Sequence, residues 1–215
     1  MRVTINHQNF KKALGIINKI VSKNPSLPIL NNVLIKTENG RLKISATNLE
    51  IGINYFIGVK IDEVGQIAVP IKILSDIIIK LIDEKITLST KNNILNINSN
   101  KYKTQILSFD TKDFPIIPKI KDNLLCVLPI NLIKNSFTSI FDSIALSETR
   151  PELTGVFIKF DNKNIIFAST DSFRLTEKII DFKTLKLENL ILPRNTVVEL
   201  IRIANDIDGD FNIYL

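Results

Sequence analysis

Few residues in this 215-residue chain could do covalent or metal chemistry. There is one histidine, His7, and one cysteine, Cys126, so a Ser-His-Asp triad would have to be built on His7. His7 stands at a predicted helix start, where a surface or capping role suits it better than catalysis. Cys126 precedes the apolar run VLP and reads as a small packed hydrophobe. A lone cysteine forms no intramolecular disulfide, which suits a reducing, cytoplasmic setting. Asp206, Asp208 and Asp210 in NDIDGD could offer carboxylates to a metal, but they fall between a predicted helix and strand and read as a solvated turn. No Cys/His cluster has metal-ligand spacing, and none of the seven glycines builds a phosphate-cradling loop. No catalytic residue, metal or cofactor is expected, and binding or scaffolding remains.

A polar cluster of another kind lies in FASTDSFRLTEK, 167–178, where Thr170, Asp171, Ser172 and Arg174 interrupt two apolar runs. The stretch ISATNLEIGINY has the same place 123 residues earlier, without the arginine. The offset holds widely. Pro28 falls on Pro151, Leu30 on Leu153, Val33 on Val156, Ile35 on Ile158, Lys36 on Lys159, Thr47 on Thr170 and Pro70 on Pro193. Two copies of one domain follow from this self-similarity.

The elements that must position these residues recur in the same order. Asn6 is a plausible N-cap for a helix carrying Phe10, Ala13, Leu14, Ile17, Ile20 and Val21 on one face and Lys11, Lys12, Asn18 and Lys19 on the other. Copy two answers with Ile133, Phe137, Ile140, Phe141 and Ile144. Alternating strands follow: NVLIKTE, RLKISAT, EIGINYFIGV and GQIAVP, matched by GVFIKFD, NIIFAST, RLTEKII and NLILP. A second helix uses Leu74, Ile77, Ile78 and Leu81, or Val197, Leu200, Ile201 and Ala204. Copy one closes with KITLSTK, ILNINS and YKTQILSF, while copy two reaches only DFNIYL, the counterpart of the first. The expectation is an α+β chain of tandem domains, 1–122 and 123–215, each with two helices packed on antiparallel sheets. The second is expected to be C-terminally incomplete, with an unpaired sheet edge.

Charge divides along the same boundary. Residues 1–122 carry 18 Lys/Arg against 10 Asp/Glu, and 123–215 carry 10 against 12. A basic first half suits a polyanion such as nucleic acid, or else a lysine-rich solvated surface. The start MRVTINHQNF lacks a signal-peptide core. The most apolar window, ILSDIIIKLI, is broken by Asp76 and Lys80 and is too short to span a bilayer, so no membrane partner is expected.

Several motifs carry a resemblance: LPIL (27–30), ATNLEI (46–51), VP followed by Lys72, DFP (113–115), TRPELTGV (149–156), ASTDSFRL (168–175) and LPR (192–194). Each is weak alone. In register, over essentially the whole chain, they resemble the bacterial DNA polymerase III beta subunit, the sliding clamp. That resemblance implies tandem DNA-clamp domains, with the family's third domain absent from this chain. It implies a non-catalytic processivity subunit of the polymerase III holoenzyme, closed as a head-to-tail homodimeric ring around double-stranded DNA without reading its sequence. Lys11, Lys12 and Lys19 are candidates for the hole. By family position Lys72, Arg150 and Arg194 should approach DNA, as should Lys23 and Asn24, where some relatives have a basic residue before the proline. Thr170, Ser172, Phe173, Arg174 and Leu175 would line one wall of a groove for short peptides of the polymerase catalytic subunit, the clamp loader and repair proteins. The family often has Gly-His where this chain has Ser172-Phe173. Lys101, Lys103 and Ile106, on the last strand of copy one, match the subunit interface. A clamp-fold remnant or interaction module that no longer encircles DNA is the alternative.

Overall fold

The computed structural model describes residues 1–21, 27–119, 123–147, 149–184 and 187–214. The chain divides into two compact units, Met1–Ile117 and Pro118–Leu215.

In the first unit, β1 (Arg2–Asn6) leads directly into α1 (His7–Ile17). Asn6 caps that helix by accepting the Asn9 N–H at 3.2 Å, as its position predicts. The hairpin strands β2 (Asn32–Glu38) and β3 (Arg41–Thr47) turn at Asn39-Gly40, both with positive φ, the conformation a two-residue hairpin turn requires. Next come β4 (Gly52–Gly58), β5 (Lys60–Glu63), β6 (Gln66–Pro70) and α2 (Ile71–Lys80). The unit closes with β7 (Lys85–Lys91), β8 (Ile94–Asn98) and β9 (Lys103–Leu107). The strands form two antiparallel sheets, ordered β4-β3-β2-β6 and β5-β1-β7-β8-β9. Phe10 and Leu14 of α1 and Leu74 and Ile78 of α2 are buried in one core with Ile35, Ile44, Leu88 and Ile97 of the sheets. Burial of these aliphatic faces supplies the main driving force for the unit.

The second unit repeats the plan: β10 (Leu124–Pro129), α3 (Ile130–Ile140), β11 (Gly155–Phe160), β12 (Asn164–Thr170), β13 (Leu175–Asp181), β14 (Glu188–Pro193), α4 (Arg194–Ala204) and β15 (Asp210–Tyr214). Its sheets are β13-β12-β11-β14 and the pair β10-β15. Phe137 of α3 meets Phe167 of β12 edge to face, with centroids 5.5 Å apart. The 123-residue offset is obeyed element by element: α1 and α3, β3 and β12, β4 and β13, and α2 and α4 begin at equivalent positions.

Three sequence expectations are corrected. The predicted first helix ran on to Val21, but α1 ends at Ile17; Ile20 is still buried, from the turn that follows. The segment predicted as one strand over 50–59 is β4 followed by β5, which crosses to the other sheet and pairs with β1. The strands β1 and β10 were not anticipated, although RVTIN alternates with Val3 and Ile5 inward. Cys126 packs in the second core as expected, and burial pushes its thiol up to about 11.

Candidate functional site

The polar turn that interrupts the strands is built twice from the same hydrogen bonds. In copy one, Thr47 Oγ1 accepts the Leu49 N–H at 3.0 Å and donates to the Ile51 carbonyl at 2.8 Å. Asn48 Oδ1 accepts the N–H groups of Glu50 and Ile51 at 3.0 and 2.8 Å. In copy two, Thr170 Oγ1 accepts from Ser172 at 3.2 Å and donates to Arg174 at 2.7 Å, while Asp171 Oδ1 accepts from Phe173 and Arg174 at 3.0 Å each. Leu49 and Ser172 hold matching left-handed φ of 77° and 76°. A threonine followed by an Asx residue closes both turns.

Copy two adds a tether. Arg174 donates Nε to Asp171 Oδ2 at 3.0 Å and Nη2 to the Asp142 carbonyl at 2.5 Å. The backbone N–H groups of Arg174 and Phe173, then the guanidinium, hold the Asp171 carboxyl below the usual carboxylate range. The chain after α3 is pinned further by the Ala145 N–H on the Leu153 carbonyl at 3.1 Å. Between this segment and the turn lies an open cavity of about 600 Å³, whose walls include Asp142, Ile144, Leu146, Phe173, Arg174 and Arg194. Phe173 is 98% exposed and Leu146 80%, an unusual pair of apolar side chains to leave in water at a cavity rim.

Of the predicted groove residues, Phe173 and Arg174 line this cavity. Thr170 closes the turn behind it, Ser172 sits at the turn's left-handed residue, and Leu175 opens β13 exposed. Arg194, predicted among the DNA candidates, lies in the same cavity wall. Its guanidinium stacks 4.2 Å from the Phe141 ring, and Nη1 reaches the Ile144 carbonyl at 3.4 Å. Sequence reasoning missed the wall formed by Asp142, Ile144 and Leu146. The repeat offset was the available signal, because 142–147 falls on 19–24, the segment after the first helix.

Lys11 and Lys12 are exposed on α1, and Lys72 is exposed on α2. Lys80, overlooked by the motif reading, is a further exposed cation on α2. Lys19 is half-buried in the turn after α1 rather than on its outer face. Arg150 is exposed, beside the Pro151–Leu153 turn. Lys23 and Asn24 lie outside the described residues. Lys103 is exposed on β9, an edge strand, and Lys101 precedes that strand rather than belonging to it. Ile106 requires a correction: at 4% exposure it packs in the unit's own core, and the exposed apolar residue of β9 is Leu107 at 75%. The strand's alternation explains it, since neighbours face opposite sides.

His7 is also corrected. Its ring is buried, and Nε2 lies 2.8 Å from the Ile78 carbonyl, which makes that nitrogen the donor and ties α1 to α2. Among the described residues no group of three or more His, Cys, Asp or Glu is placed to hold a metal.

Residues 1–118 match the family model described as "DNA polymerase III beta subunit, N-terminal domain", and residues 127–215 match that of the central domain. The chain belongs to the DNA polymerase III beta subunit family. The beta sliding clamp of Rickettsia felis is 27% identical over 220 residues, a match covering all of this chain and 58% of that protein. The crystal structure of the Bacillus subtilis DNA polymerase sliding clamp superimposes with a TM-score of 0.94 at 25% identity. A Bartonella birtlesii sliding clamp bound to griselimycin gives 0.90 at 30%. In both, all of this chain matches 60% of the clamp. The chain therefore spans about three-fifths of the length of these sliding clamps. No helix among the described residues is long and apolar enough to cross a membrane.

Proposed function

We propose that this polypeptide works as sliding-clamp domains: a non-catalytic processivity element of the polymerase III holoenzyme that holds duplex DNA while tethering the polymerase and other partners. The observation that carries this is the exposed lysine set on α1 and α2. Lys11, Lys12, Lys72 and Lys80 face solvent from helices whose other faces are buried, and none forms an ion pair among the described residues. Flexible point charges of this kind attract phosphate without selecting a base sequence, which is what sliding requires.

In this reading the domains are 1–122 and 123–215. Lys11, Lys12, Lys19, Lys23, Asn24, Lys72, Arg150 and Arg194 are the DNA-facing set. The turn Thr170–Leu175 presents one wall of a groove for short linear peptides of the polymerase, the clamp loader and repair proteins. Lys101 and Lys103 belong to a ring-closing subunit contact of a homodimer, and the protein is cytoplasmic.

The test is retention on circular duplex. Chain loaded on a nicked circle should survive gel filtration and be lost when the circle is cut, because encirclement is topological. Equal loss from circular and linear DNA, with peptide binding intact, would replace this function by that of an interaction module.

A further inference from the structure

The cavity beside the turn contains two arginines in different electrical states. Arg174 is compensated, with its Nε 3.0 Å from the Asp171 carboxylate. Arg194 is not: its only side-chain hydrogen bond among the described residues is Nη1 to the Ile144 carbonyl at 3.4 Å, and no carboxylate lies within ion-pair distance. Its plane is fixed by stacking on Phe141, 4.2 Å from centroid to Cζ. Nε and Nη2 are left without a hydrogen bond among the described residues, a pre-oriented edge of the fork that pairs with carboxylates two bonds at a time.

We propose that Arg194 holds a carboxylate of the partner peptide in this cavity, with the apolar neighbour of that carboxylate lying against Leu146 and Phe173. The proposal rests on the peptide-groove reading above and adds the chemistry the groove selects: an acidic side chain beside a large apolar one. A peptide fits better than a duplex phosphate. Arg194 is half-buried in a concave wall whose neighbours Ile144, Leu146 and Phe173 are apolar. The exposed lysines on α1 and α2 project from a helix surface, as a convex duplex backbone requires. Holding the guanidinium flat before binding lowers the ordering cost of the contact.

Two labelled, end-capped peptides, Gly-Leu-Asp-Phe-Gly and Gly-Leu-Asn-Phe-Gly, titrated against the full chain by fluorescence anisotropy test this. The Asp peptide should bind about tenfold more tightly, the size expected of charge-assisted hydrogen bonds in a part-exposed site. Arg194→Gln should erase that preference while leaving the Asn peptide's affinity unchanged. Arg194→Lys, which keeps the charge but loses the fork, should retain only part of the preference, and it decides the matter if circular dichroism shows the Gln variant misfolded. No binding of either peptide to the wild-type chain overturns the groove reading and this inference together. Equal binding of the two peptides, or a preference that survives Arg194→Gln, overturns only the role of Arg194. Weakened duplex binding by Arg194→Gln with the Asp preference intact assigns the residue to DNA phosphate and likewise overturns the inference.

Discussion

Replacing Lys11, Lys12 and Lys72 together by glutamine should flatten the salt dependence of duplex binding. All three side chains are exposed and unpaired among the described residues, so each is available to one phosphate. An ammonium that neutralises a phosphate releases condensed counterions and adds roughly 0.9 to the slope of log affinity against log salt, so the three carry about 2.7. Between about 50 and about 200 mM salt, a slope of that size changes affinity about 40-fold. Anisotropy of a short labelled duplex over a salt series measures it directly. The variant should bind more weakly at low salt and approach the wild type as salt rises. A control triple away from the helices, Lys91→Gln, Lys112→Gln and Lys163→Gln, removes equal charge from other exposed positions. If the control flattens the slope as much as the helix triple, the attraction belongs to a lysine-rich surface at large. An unchanged slope in the helix triple would refute the assignment of α1 and α2 to the DNA-facing side.

Gly155→Ala should destabilise the second unit by about 1–3 kcal/mol, the usual cost of overpacking, read as a lowered urea midpoint. Its Cβ would lie 2.5 Å from the Leu192 carbonyl oxygen and 2.6 Å from Ile191 Cγ2, so β11 and β14 must part; an unchanged midpoint would contradict the close approach. Asp171 should titrate below about 3.9 in the folded chain, followed by carboxyl NMR shifts. Because its folded pKa is lowered, its favourable contribution is complete at neutral pH and is lost as pH falls through that folded value. The Phe173 and Arg174 amide shifts should move with the same midpoint, and a carboxyl titrating at or above the reference would rule out the turn's hydrogen bonds.

How much of this was legible in the sequence depended on the kind of interaction. The repeat, most strand limits and the helix cap could be read because apolar alternation, turn residues and N-caps act within a few residues of one another. RLKISAT and NIIFAST are β3 and β12 residue for residue. The first strand was passed over because five residues, RVTIN, carry too few alternations to stand out beside the helix that follows. The inward direction of Ile106 was readable from strand parity, but family position was given precedence. The cavity was less accessible, since its walls come from residues about 30 and 50 apart. The bonds that join them, Arg174 to the Asp142 carbonyl and Arg194 to the Ile144 carbonyl, use backbone acceptors that leave no trace in residue type.

Comparing the two copies separates what the fold demands from what was added to it. The threonine and the Asx residue at 47–48 and 170–171 do the same backbone work, so they belong to the fold. Position 32 and its equivalent 155 make opposite demands. Asn32 is buried and donates to the Ile29 carbonyl at 3.1 Å, whereas a side chain at 155 would strike the neighbouring strand. Ile51 and its equivalent Arg174 differ in reach. Ile51 is a half-buried apolar residue, while Arg174 extends to Asp142, the counterpart of Lys19 in the segment after the helix. That single change joins turn and segment only in copy two. It fixes the distance between Phe173 and Leu146 and so makes a cavity out of what is otherwise a repeated loop. The arginine therefore shapes the site by spending its own charge on Asp171, which leaves Arg194 as the cation within it that is open to a ligand.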